Sequence, residues 1–248
     1  PLVSIRTVAG IKARVSMLRA IAPARTDLRQ LRPDVVFSTG GYSAGPVMAA
    51  ARSLKIPLAL HAVDSVPGRA LRMHIHHAAR LTAGFRSTSG HLARMGISAN
   101  PERTGHPIRT VLREAVAERV PEADLLLIVG GSQGSAFLNE LAIAVAPMWG
   151  GRIRLATGPT HFNAIAARAP ANVEVHPFLN PGQMAEAYRT AGVALARSGG
   201  TVAEFAMARL PAVLVPLPQS ADQHQACNAD EFVSIGAADR LNQTDATP

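Results

Sequence analysis

The residues best suited to chemistry in this sequence follow a short apolar run in its last quarter. Gly199 and Gly200 come directly after the run 193–196, and a helical pattern follows over 201–208. A glycine turn at the start of a helix leaves backbone N–H groups available and lets an anion or a sugar hydroxyl approach closely. Glu204, one turn into that helix, could accept two hydrogen bonds from a vicinal diol such as a ribose. The alternative is that Glu204 forms a capping box with the first residue of the helix.

A second polar cluster follows the next apolar run. Residues 212–216 are typical of a buried strand, and a new helix is predicted to begin at Asp222. His224, Gln225 and Asn228 are three and four residues apart, so their polar groups share one face of that helix. A simple cap, with Asp222 bonded to Gln225, is the alternative. Two polar helix starts that follow adjacent strands are typical of a ligand crevice at the edge of a sheet.

The elements that must position these residues alternate regularly along the chain. Strands are predicted near 34–38, 58–61, 80–85, 124–129, 153–157, 173–178, 193–196 and 212–216. The clearest helical patterns cover 136–146, 160–168, 181–190, 201–208 and 222–234, and 110–121 is predicted to be a helix or a linker. This alternation predicts parallel, doubly wound α/β sheets with right-handed crossovers.

Glycine-rich loops follow two of the predicted strands. Residues 39–46 follow the first strand, and residues 130–135 follow the strand 124–129. A glycine loop at the carboxyl end of a strand can bind a phosphate, although a tight strand-to-helix turn explains such a loop equally well. We therefore expect two α/β domains, each with a glycine loop that opens on a shared cleft.

Composition limits the classes of protein to consider. The 248 residues are 48% hydrophobic and 4% aromatic, which is enough for one large or two ordinary domains with aliphatic cores. The single cysteine, Cys227, excludes an internal disulfide and fits a reducing compartment. No apolar run reaches the roughly 18 residues of a membrane-spanning helix, and no secretory signal is recognised. The nine histidines show no metal-ligand spacing. The sequence thus predicts a soluble or peripheral protein.

The net charge of +8 needs a separate explanation. Nearly all of the basic residues are arginines spread singly along the chain, which argues against a nucleic-acid partner. They are densest in residues 1–32, where Ile11, Val15, Leu18 and Ala22 recur at helical spacing. A basic amphipathic helix predicts contact with an anionic membrane surface. The alternative is a surface helix packed on the protein.

Taken together, the motifs resemble those of the MurG family, the N-acetylglucosaminyltransferases of peptidoglycan synthesis. The resemblance rests on the runs 197–204, 210–216 and 222–229 and covers nearly the whole chain. It implies two Rossmann-like domains of the GT-B type, with residues 1–107 on the acceptor and membrane side and residues 108–248 on the donor side. It also implies an inverting transfer of N-acetylglucosamine from UDP-GlcNAc to an undecaprenyl-linked muramoyl acceptor. That transfer would need no metal ion or other cofactor and would take place at the cytoplasmic face of the bacterial inner membrane.

The same resemblance implies roles for individual residues. For the donor nucleotide and its phosphates, the matching positions are Arg109, Ser132, Gln133, Gly134, Phe178, Leu179 and Glu204. For the transferred sugar, they are Ser198, Gly199, Gly200, His224, Gln225 and Asn228. For the diphosphate of the lipid acceptor, they are Gly40, Gly41, Tyr42 and Ser43.

Two departures from the family pattern affect the expected activity. No glycine-rich loop with a histidine precedes Asp34, so we expect an incomplete N-terminal domain that binds the donor better than it transfers the sugar. The family's His-Glu-Gln-Asn is His61-Ala62-Val63-Asp64 here, which leaves the catalytic base unknown, with His61 and Asp64 as candidates. The alternatives are a transferase with another nucleotide sugar or glycolipid acceptor, or a non-catalytic protein that binds nucleotide sugars.

Overall fold

The computed structural model describes residues 15–246. By their internal contacts the residues form two units. Of the described residues, the first unit comprises those up to His106 and the short segment 221–224, and the second comprises residues 107–220 and those from Gln225 onward. No sequence pattern indicated that the four-residue segment 221–224 would group with the first unit.

The first unit is built on a parallel sheet of four strands in the order β1-β2-β3-β4. Its strands are β1 Val36–Ser38, β2 Leu58–Ala62, β3 Ala78–Ala83 and β4 Glu102–Arg103. Its helices are α1 Ile21–Leu31, α2 Ala44–Ser53, α3 Arg69–Arg72 and α4 Thr88–Arg94, with a 3-10 turn at Ile75–His77. Small and aliphatic side chains form its core, among them Met48, Leu58, Leu60 and Leu92, which are almost completely buried.

The second unit contains a parallel sheet of six strands in the order β10-β9-β8-β5-β6-β7. Its strands are β5 Glu122–Val129, β6 Arg152–Ala156, β7 Val173–His176, β8 Ala191–Ala196, β9 Ala212–Leu214 and β10 Ala238–Arg240. Its helices are α5 Thr110–Ala115, α6 Ala136–Val145, α7 Phe162–Ala166, α8 Pro181–Thr190, α9 Thr201–Ala208 and α10 His224–Ser234. Short 3-10 turns lie at Val116–Glu118 and Ala221–Gln223.

The centre of the second sheet is the most apolar run of the sequence. Strand β5 pairs with β6 on one side and with β8 on the other. Leu127 and Ile128 are completely buried, as is typical of a parallel strand covered by helices on both faces. Leu138 of α6 packs in the same core cluster as Ile128. This packing fixes the loop between β5 and α6, which carries the first glycine motif of the unit.

Most predicted elements are confirmed with small shifts at their ends. The helices 181–190 and 201–208 have the predicted bounds, whereas the third strand, predicted at 80–85, runs from Ala78 to Ala83. The prediction that a helix begins at Asp222 is wrong. Asp222 and Gln223 both have positive φ angles, of 50° and 53°, and α10 begins only at His224. Two successive left-handed residues cannot continue a right-handed helix.

The predicted amphipathic segment lies only partly in the described residues. Ile11 is outside them, whereas Val15 and Leu18 are included and expose 40% and 67% of their surface. Ala22, in α1, is also exposed. Between residues 15 and 246, no helix is long and apolar enough to cross a membrane.

A partly buried arginine, Arg119, joins several chain segments of the second unit. The Arg119 guanidinium donates hydrogen bonds to the carbonyl oxygens of Tyr188, Ala191 and Arg209, at 3.3, 2.5 and 3.2 Å. Two of these carbonyls lie at the end of α8 and the start of β8, and the third follows α9. Because the last carbonyls of a helix have no partner within the helix, Arg119 satisfies groups that would otherwise be unpaired.

Candidate functional site

The glycine loop between β5 and α6 is shaped by close backbone contacts. Gly134 has a φ of +75°, and a Cβ atom at this position would lie 1.8 Å from the Thr157 carbonyl oxygen. Only glycine fits here without moving the loop after β6. Ser135 then caps α6, because its Oγ accepts a hydrogen bond from the Leu138 N–H at 3.4 Å. The positive end of α6 therefore faces the loop.

A second helix begins at the other glycine motif. Gly200 is the N-cap of α9, and neither Gly199 nor Gly200 has an atom of the described residues within 4 Å of its would-be Cβ. The backbone at this turn is therefore open to close approach by a ligand. Its N-terminal N–H groups add a second positive dipole end to the one at α6.

Arg197 lies immediately before this turn and is half-buried. Its Nη1 donates to the carbonyl oxygens of Val215 and Pro216, at 3.1 and 3.3 Å. Its Nη2 donates to Ser135 Oγ and Gln243 Oε1, at 2.9 and 2.8 Å. Four oxygen atoms thus hold the guanidinium in one orientation. Burial lowers the pKa of Arg197, but an arginine keeps its charge in proteins.

The charge of Arg197 is not neutralised by an ion pair. Every oxygen that accepts its hydrogen bonds is a carbonyl, hydroxyl or amide oxygen, and no carboxylate of residues 15–246 pairs with it. The guanidinium carbon also lies 5.7 Å from the centroid of the Phe137 ring, within range of a cation–π contact. A fixed and unpaired positive charge favours an anion nearby.

These three features line one pocket of about 570 Å³ in the second unit. Its lining residues are Gly130, Gly131, Ser132, Gly134, Ser135, Ala136, Phe137, Arg197, Gly199, Gly200, Thr201, Leu217, Gln225 and Gln243. The starts of two helices and an arginine converge here at the carboxyl ends of β5 and β8. Chemically, the pocket is suited to a phosphate or diphosphate group.

Gln225 provides neutral polar groups at the rim of this pocket. Its side-chain Oε1 accepts a hydrogen bond from the Leu217 N–H at 2.9 Å. This bond uses the amide oxygen and leaves the Nε2 hydrogens as the donors that the side chain can offer. A sugar hydroxyl oxygen would be a suitable acceptor for them.

Glu204 does not cap its own helix. Gly200, rather than Thr201, is the N-cap of α9 and makes no side-chain capping bond, so the capping-box alternative is wrong. The Glu204 carboxylate instead accepts a hydrogen bond at its Oε2 from the Tyr188 hydroxyl of α8, at 2.5 Å. Gly200 and Glu204 are four residues apart and so share one face of the helix.

Ser198 and Asn228, which were predicted to contact the sugar, form hydrogen bonds within the protein instead. Ser198 and Asn228 are both completely buried. The Ser198 hydroxyl donates to the Gln225 carbonyl oxygen at 2.8 Å, and Asn228 Nδ2 donates to the Ser198 carbonyl oxygen at 3.0 Å. These bonds join the turn after β8 to α10. The prediction that these two side chains contact substrate is therefore corrected, because they hold the turn that lines the pocket.

The residues predicted on the nucleotide side are placed as follows. Arg109 is exposed just before α5, and its charge acts on the Tyr188 hydroxyl. Phe178 is 53% exposed after β7, whereas the Leu179 side chain is buried. Ser132 and Gln133 are exposed in the glycine loop, and of these two only Ser132 lines the pocket.

A second pocket, of about 710 Å³, lies in the first unit. Its lining residues are Thr39, Gly40, Gly41, Ala62, Val63, Asp64, Val66, Pro67, Gly68, Arg69, Leu71, Arg72, Ala221, Asp222 and His224. Gly40 and Gly41 have φ angles of 90° and 93°. Tyr42 and Ser43, which the resemblance also assigns to the acceptor side, are exposed and do not line this pocket.

His224 belongs to the first unit, whereas Gln225 belongs to the second. The His224 ring bonds through Nδ1 to the Ala221 carbonyl oxygen at 2.8 Å, and His224 lines the pocket of the first unit. Its predicted pairing with Gln225 at the transferred sugar stays a prediction. The proposed cap by Asp222 is wrong, because its carboxylate forms an ion pair with Arg72.

The two candidate bases are in different environments. His61 is only 4% exposed, and its Nδ1 lies 2.8 Å from Thr82 Oγ1. The Thr82 hydroxyl donates to the Leu60 carbonyl oxygen at 3.3 Å, so it accepts the proton of His61 Nδ1. Burial lowers the pKa of His61 and favours the neutral ring. Asp64 is only half-buried and lines the pocket beside Gly40 and Gly41.

Several residues of the two pockets were not identified from the sequence. In the pocket of the second unit these are Ser135, Phe137, Arg197 and Gln243, and in that of the first unit they are Arg69 and Arg72. Arg197 could have been identified from the sequence, because it is a lone charged residue directly between an apolar strand and a glycine turn. Gln243 could not have been identified in this way, because it contacts a residue 46 positions away, Arg197. Within residues 15–246, no three His, Cys, Asp or Glu side chains are grouped so that they could hold a metal ion.

The family comparisons agree with this arrangement of two units. The model of the glycosyltransferase family 28 N-terminal domain matches residues 2–82, and that of the family 28 C-terminal domain matches residues 125–248. The chain belongs to glycosyltransferase family 28. This agrees with the predicted fold class, two parallel α/β domains of the GT-B type. The relatives and the solved structure described next confirm the resemblance to MurG.

Among its family 28 relatives are two bacterial proteins with the same name. Each is named UDP-N-acetylglucosamine–N-acetylmuramyl-(pentapeptide) pyrophosphoryl-undecaprenol N-acetylglucosamine transferase. The Pseudomonas fluorescens protein is 38% identical over 92% of this chain and 65% of its own length. The Halorhodospira halophila protein is 38% identical over 97% of this chain and 68% of its own length. The chain thus spans about two thirds of the length of these relatives.

Solved structures give the same result for the family 28 fold. The MurG crystal structure from Acinetobacter baumannii matches with a TM-score of 0.74 and 34% identity, over 95% of this chain and 67% of that one. A UDP-GlcNAc 2-epimerase from Methanocaldococcus jannaschii, solved with UDP-GlcNAc and UDP, matches with a TM-score of 0.64. It is 15% identical over 92% of this chain and 70% of that one, so it supports the fold alone.

Proposed function

We propose that this chain transfers N-acetylglucosamine from UDP-GlcNAc to a lipid-linked muramoyl-pentapeptide acceptor. The observation that carries the proposal is the convergence of two helix starts and the unpaired charge of Arg197 on one pocket. The proposal is supported by the names of the family 28 relatives, which describe this reaction for proteins 38% identical to the chain.

The donor diphosphate is assigned to the pocket of the second unit. Its phosphate oxygens accept hydrogen bonds from backbone N–H groups at the starts of α6 and α9, where both helix dipoles favour negative charge. Arg197 adds a full positive charge that its four hydrogen bonds hold in place. The sugar then lies towards Gln225, whose amide hydrogens can donate to its hydroxyl oxygens, and the ribose lies towards Glu204.

Transfer with inversion requires only a nucleophile, a base and a stabilised leaving group. The acceptor hydroxyl attacks the anomeric carbon from the face opposite UDP, and the new C–O bond forms as the bond from that carbon to the phosphate oxygen breaks. The base takes the hydroxyl proton. UDP departs with the electron pair, and the developing charge on its phosphate is stabilised by the helix starts and Arg197.

Asp64 is the candidate base that we favour. It lines the pocket of the first unit beside Gly40 and Gly41, which the resemblance assigns to the acceptor. His61 is less suitable, because its ring is buried and its Nδ1 is bonded to Thr82. A positioned base contributes about 10²- to 10⁴-fold to a rate. Asp64→Asn should therefore abolish most of the transfer and leave UDP affinity unchanged.

A thermal-shift panel of UDP, UDP-GlcNAc, UDP-galactose and dTDP tests the donor assignment. A ligand at 100 times its dissociation constant stabilises the folded state by about 2.7 kcal/mol. For a chain of this size, that corresponds to an upward shift of the melting temperature by roughly 5 to 10 °C. We expect UDP and UDP-GlcNAc to give such a shift. An equal shift with UDP-galactose would favour another sugar donor, and no shift with any nucleotide would contradict the proposal.

We also propose that the chain attaches peripherally to the cytoplasmic face of the inner membrane. The exposed side chains of Val15 and Leu18 support this placement, as do the arginines of α1 close by. Attraction between arginines and anionic headgroups is screened by salt, over about 10 Å at 0.1 M. The protein should therefore sediment with anionic vesicles and be released from them by high salt. The double variant Val15→Ser/Leu18→Ser should bind them less. Equal binding to neutral vesicles would contradict the electrostatic part.

A further inference from the structure

Tyr188 is a buried polar residue to which neither the motifs nor the transfer step assigns a role. It lies in α8, and its side chain is completely buried. Its ring packs edge-on against the Phe205 ring of α9, with centroids 5.7 Å apart and an interplanar angle of 85°. Contacts of this kind fix the orientation of an aromatic ring. The direction of the hydroxyl group is thereby fixed as well.

That hydroxyl group forms a hydrogen bond with Glu204. It donates its proton to Glu204 Oε2 at 2.5 Å. Burial and the negative charge of Glu204 both raise the pKa of Tyr188, so the phenol remains a proton donor under all ordinary conditions. The positive charge of Arg109 acts on the same phenol in the opposite direction, which places Arg109 in its vicinity.

The hydrogen bond leaves one carboxylate oxygen of Glu204 for a ligand. Oε2 is occupied by Tyr188, and the carboxylate makes no further hydrogen bond to residues 15–246. Glu204 lies on the same face of α9 as Gly200, about 6 Å further along the helix axis. A nucleotide with its diphosphate at the start of α9 would therefore bring its ribose to this oxygen.

We propose that Tyr188 is a positioning residue for nucleotide recognition, which holds Oε2 of Glu204 so that Oε1 accepts a hydrogen bond from the ribose 2′-hydroxyl. This inference rests on the proposed function. The buried phenol does not touch the nucleotide, and it acts through the carboxylate that it orients. The consequence is selectivity: the site favours a ribonucleoside diphosphate over its 2′-deoxy counterpart.

The competing explanation is that the Tyr188–Glu204 bond only joins α8 to α9. The two explanations differ in what they predict for nucleotide selectivity. A bond that only holds the helices together should affect UDP and 2′-deoxy-UDP equally when it is removed. A bond that orients Glu204 should affect UDP and leave 2′-deoxy-UDP almost unchanged, because the deoxy nucleotide lacks the hydroxyl.

Calorimetric titration of both nucleotides against four proteins separates these explanations. The variants are Tyr188→Phe, which keeps the ring, Glu204→Gln, and the double variant, with the unaltered chain as reference. We expect Tyr188→Phe to raise the UDP dissociation constant about threefold to tenfold, the size of one net hydrogen bond, and to leave that of 2′-deoxy-UDP unchanged. The double variant should be no worse than Glu204→Gln alone, because the two residues act as one unit.

Thr190→Val is the matched control. It removes another buried hydroxyl from the end of α8, where Thr190 donates to the Glu186 carbonyl oxygen at 2.8 Å. Its loss should leave the ratio of the two dissociation constants at the value of the unaltered chain. If Tyr188→Phe is less stable, the ratio is still informative, because both nucleotides are titrated into the same folded protein.

The remaining outcomes would overturn the positioning role of Tyr188, the ribose contact of Glu204 or the proposed function. Equal weakening of UDP and 2′-deoxy-UDP by Tyr188→Phe would overturn the positioning role and leave the proposed function intact. If Glu204→Gln left the ratio unchanged, the contact between Glu204 and the ribose would be wrong, and the role of Tyr188 would be wrong with it. If the unaltered chain bound neither nucleotide, both the proposed function and this inference would be overturned.

Discussion

Replacing Arg197 by methionine tests the diphosphate assignment through a single charge. Methionine keeps much of the length and volume of the side chain and removes its charge. A unit charge about 6 Å from a phosphate contributes roughly 3 kcal/mol at an effective dielectric constant of 20. Because Arg197 is only half-buried, solvent screening reduces this value. We therefore expect a loss of about 1.5 to 3 kcal/mol, which corresponds to a UDP dissociation constant roughly 10- to 100-fold higher.

Comparison of UDP with uridine by calorimetry isolates the electrostatic contribution. Uridine has no phosphate, so Arg197→Met should leave its affinity nearly unchanged. The same variant loses donors for four oxygen atoms, and we expect it to be less stable by about 1 to 3 kcal/mol, measured by urea unfolding. Arg168→Met is the control, because it removes an exposed arginine that pairs with Glu140 outside the pocket. Equal weakening of UDP and uridine binding, or an unchanged UDP affinity, would contradict the assignment of the diphosphate to Arg197.

Three further predictions concern stability. Gly134→Ala should lower the free energy of unfolding by at least about 1 to 2 kcal/mol, because of the positive φ and the Thr157 contact; an unchanged urea midpoint would contradict this. Arg119→Met should cost about 1 to 3 kcal/mol, because three carbonyls lose their donor, whereas Arg168→Met should cost little. Burial lowers the pKa of His61 in the folded protein. The neutral ring therefore contributes fully to the free energy of unfolding above the ordinary pKa of about 6.5, and this contribution is lost as the pH falls towards the lower folded pKa. The urea midpoints at pH 7.5 and 5.5 should thus differ less in His61→Gln than in the unaltered chain.

The regular elements could be predicted because their signals are local. Strand β5 is an unbroken apolar run, and α8 begins with a capping box in which Asn180 and Gln183 bond reciprocally at 2.9 and 3.0 Å. The alternation of such runs with helical patterns was enough to predict parallel sheets. The glycine motifs located the pocket for the same reason, since a strand, a glycine turn and a helix start are contiguous in sequence.

The errors arose where distant residues decide the outcome. Asp222 has the local pattern of a helix cap, but it pairs with Arg72, which is 150 positions away. The alternative of a capping box at Glu204 fails for the same reason, because the hydroxyl of Tyr188 on another helix binds its carboxylate. Asn228 was predicted to bind the sugar because it shares a helix face with His224 and Gln225, whereas its side chain is buried against Ser198. No spacing rule within a single helix could have indicated these contacts.

The proposed reaction can be tested directly with a soluble analogue of the lipid-linked muramoyl-pentapeptide acceptor. The chain is incubated with UDP-GlcNAc and the analogue, and product is followed by mass spectrometry beside the release of UDP. We expect a product heavier by one N-acetylhexosamine and an equal amount of released UDP. With Asp64→Asn we expect both to be lost while UDP still binds. The proposal would be contradicted if UDP-GlcNAc bound but the product did not exceed the level found without protein. Transfer from UDP-galactose as fast as from UDP-GlcNAc would contradict it as well.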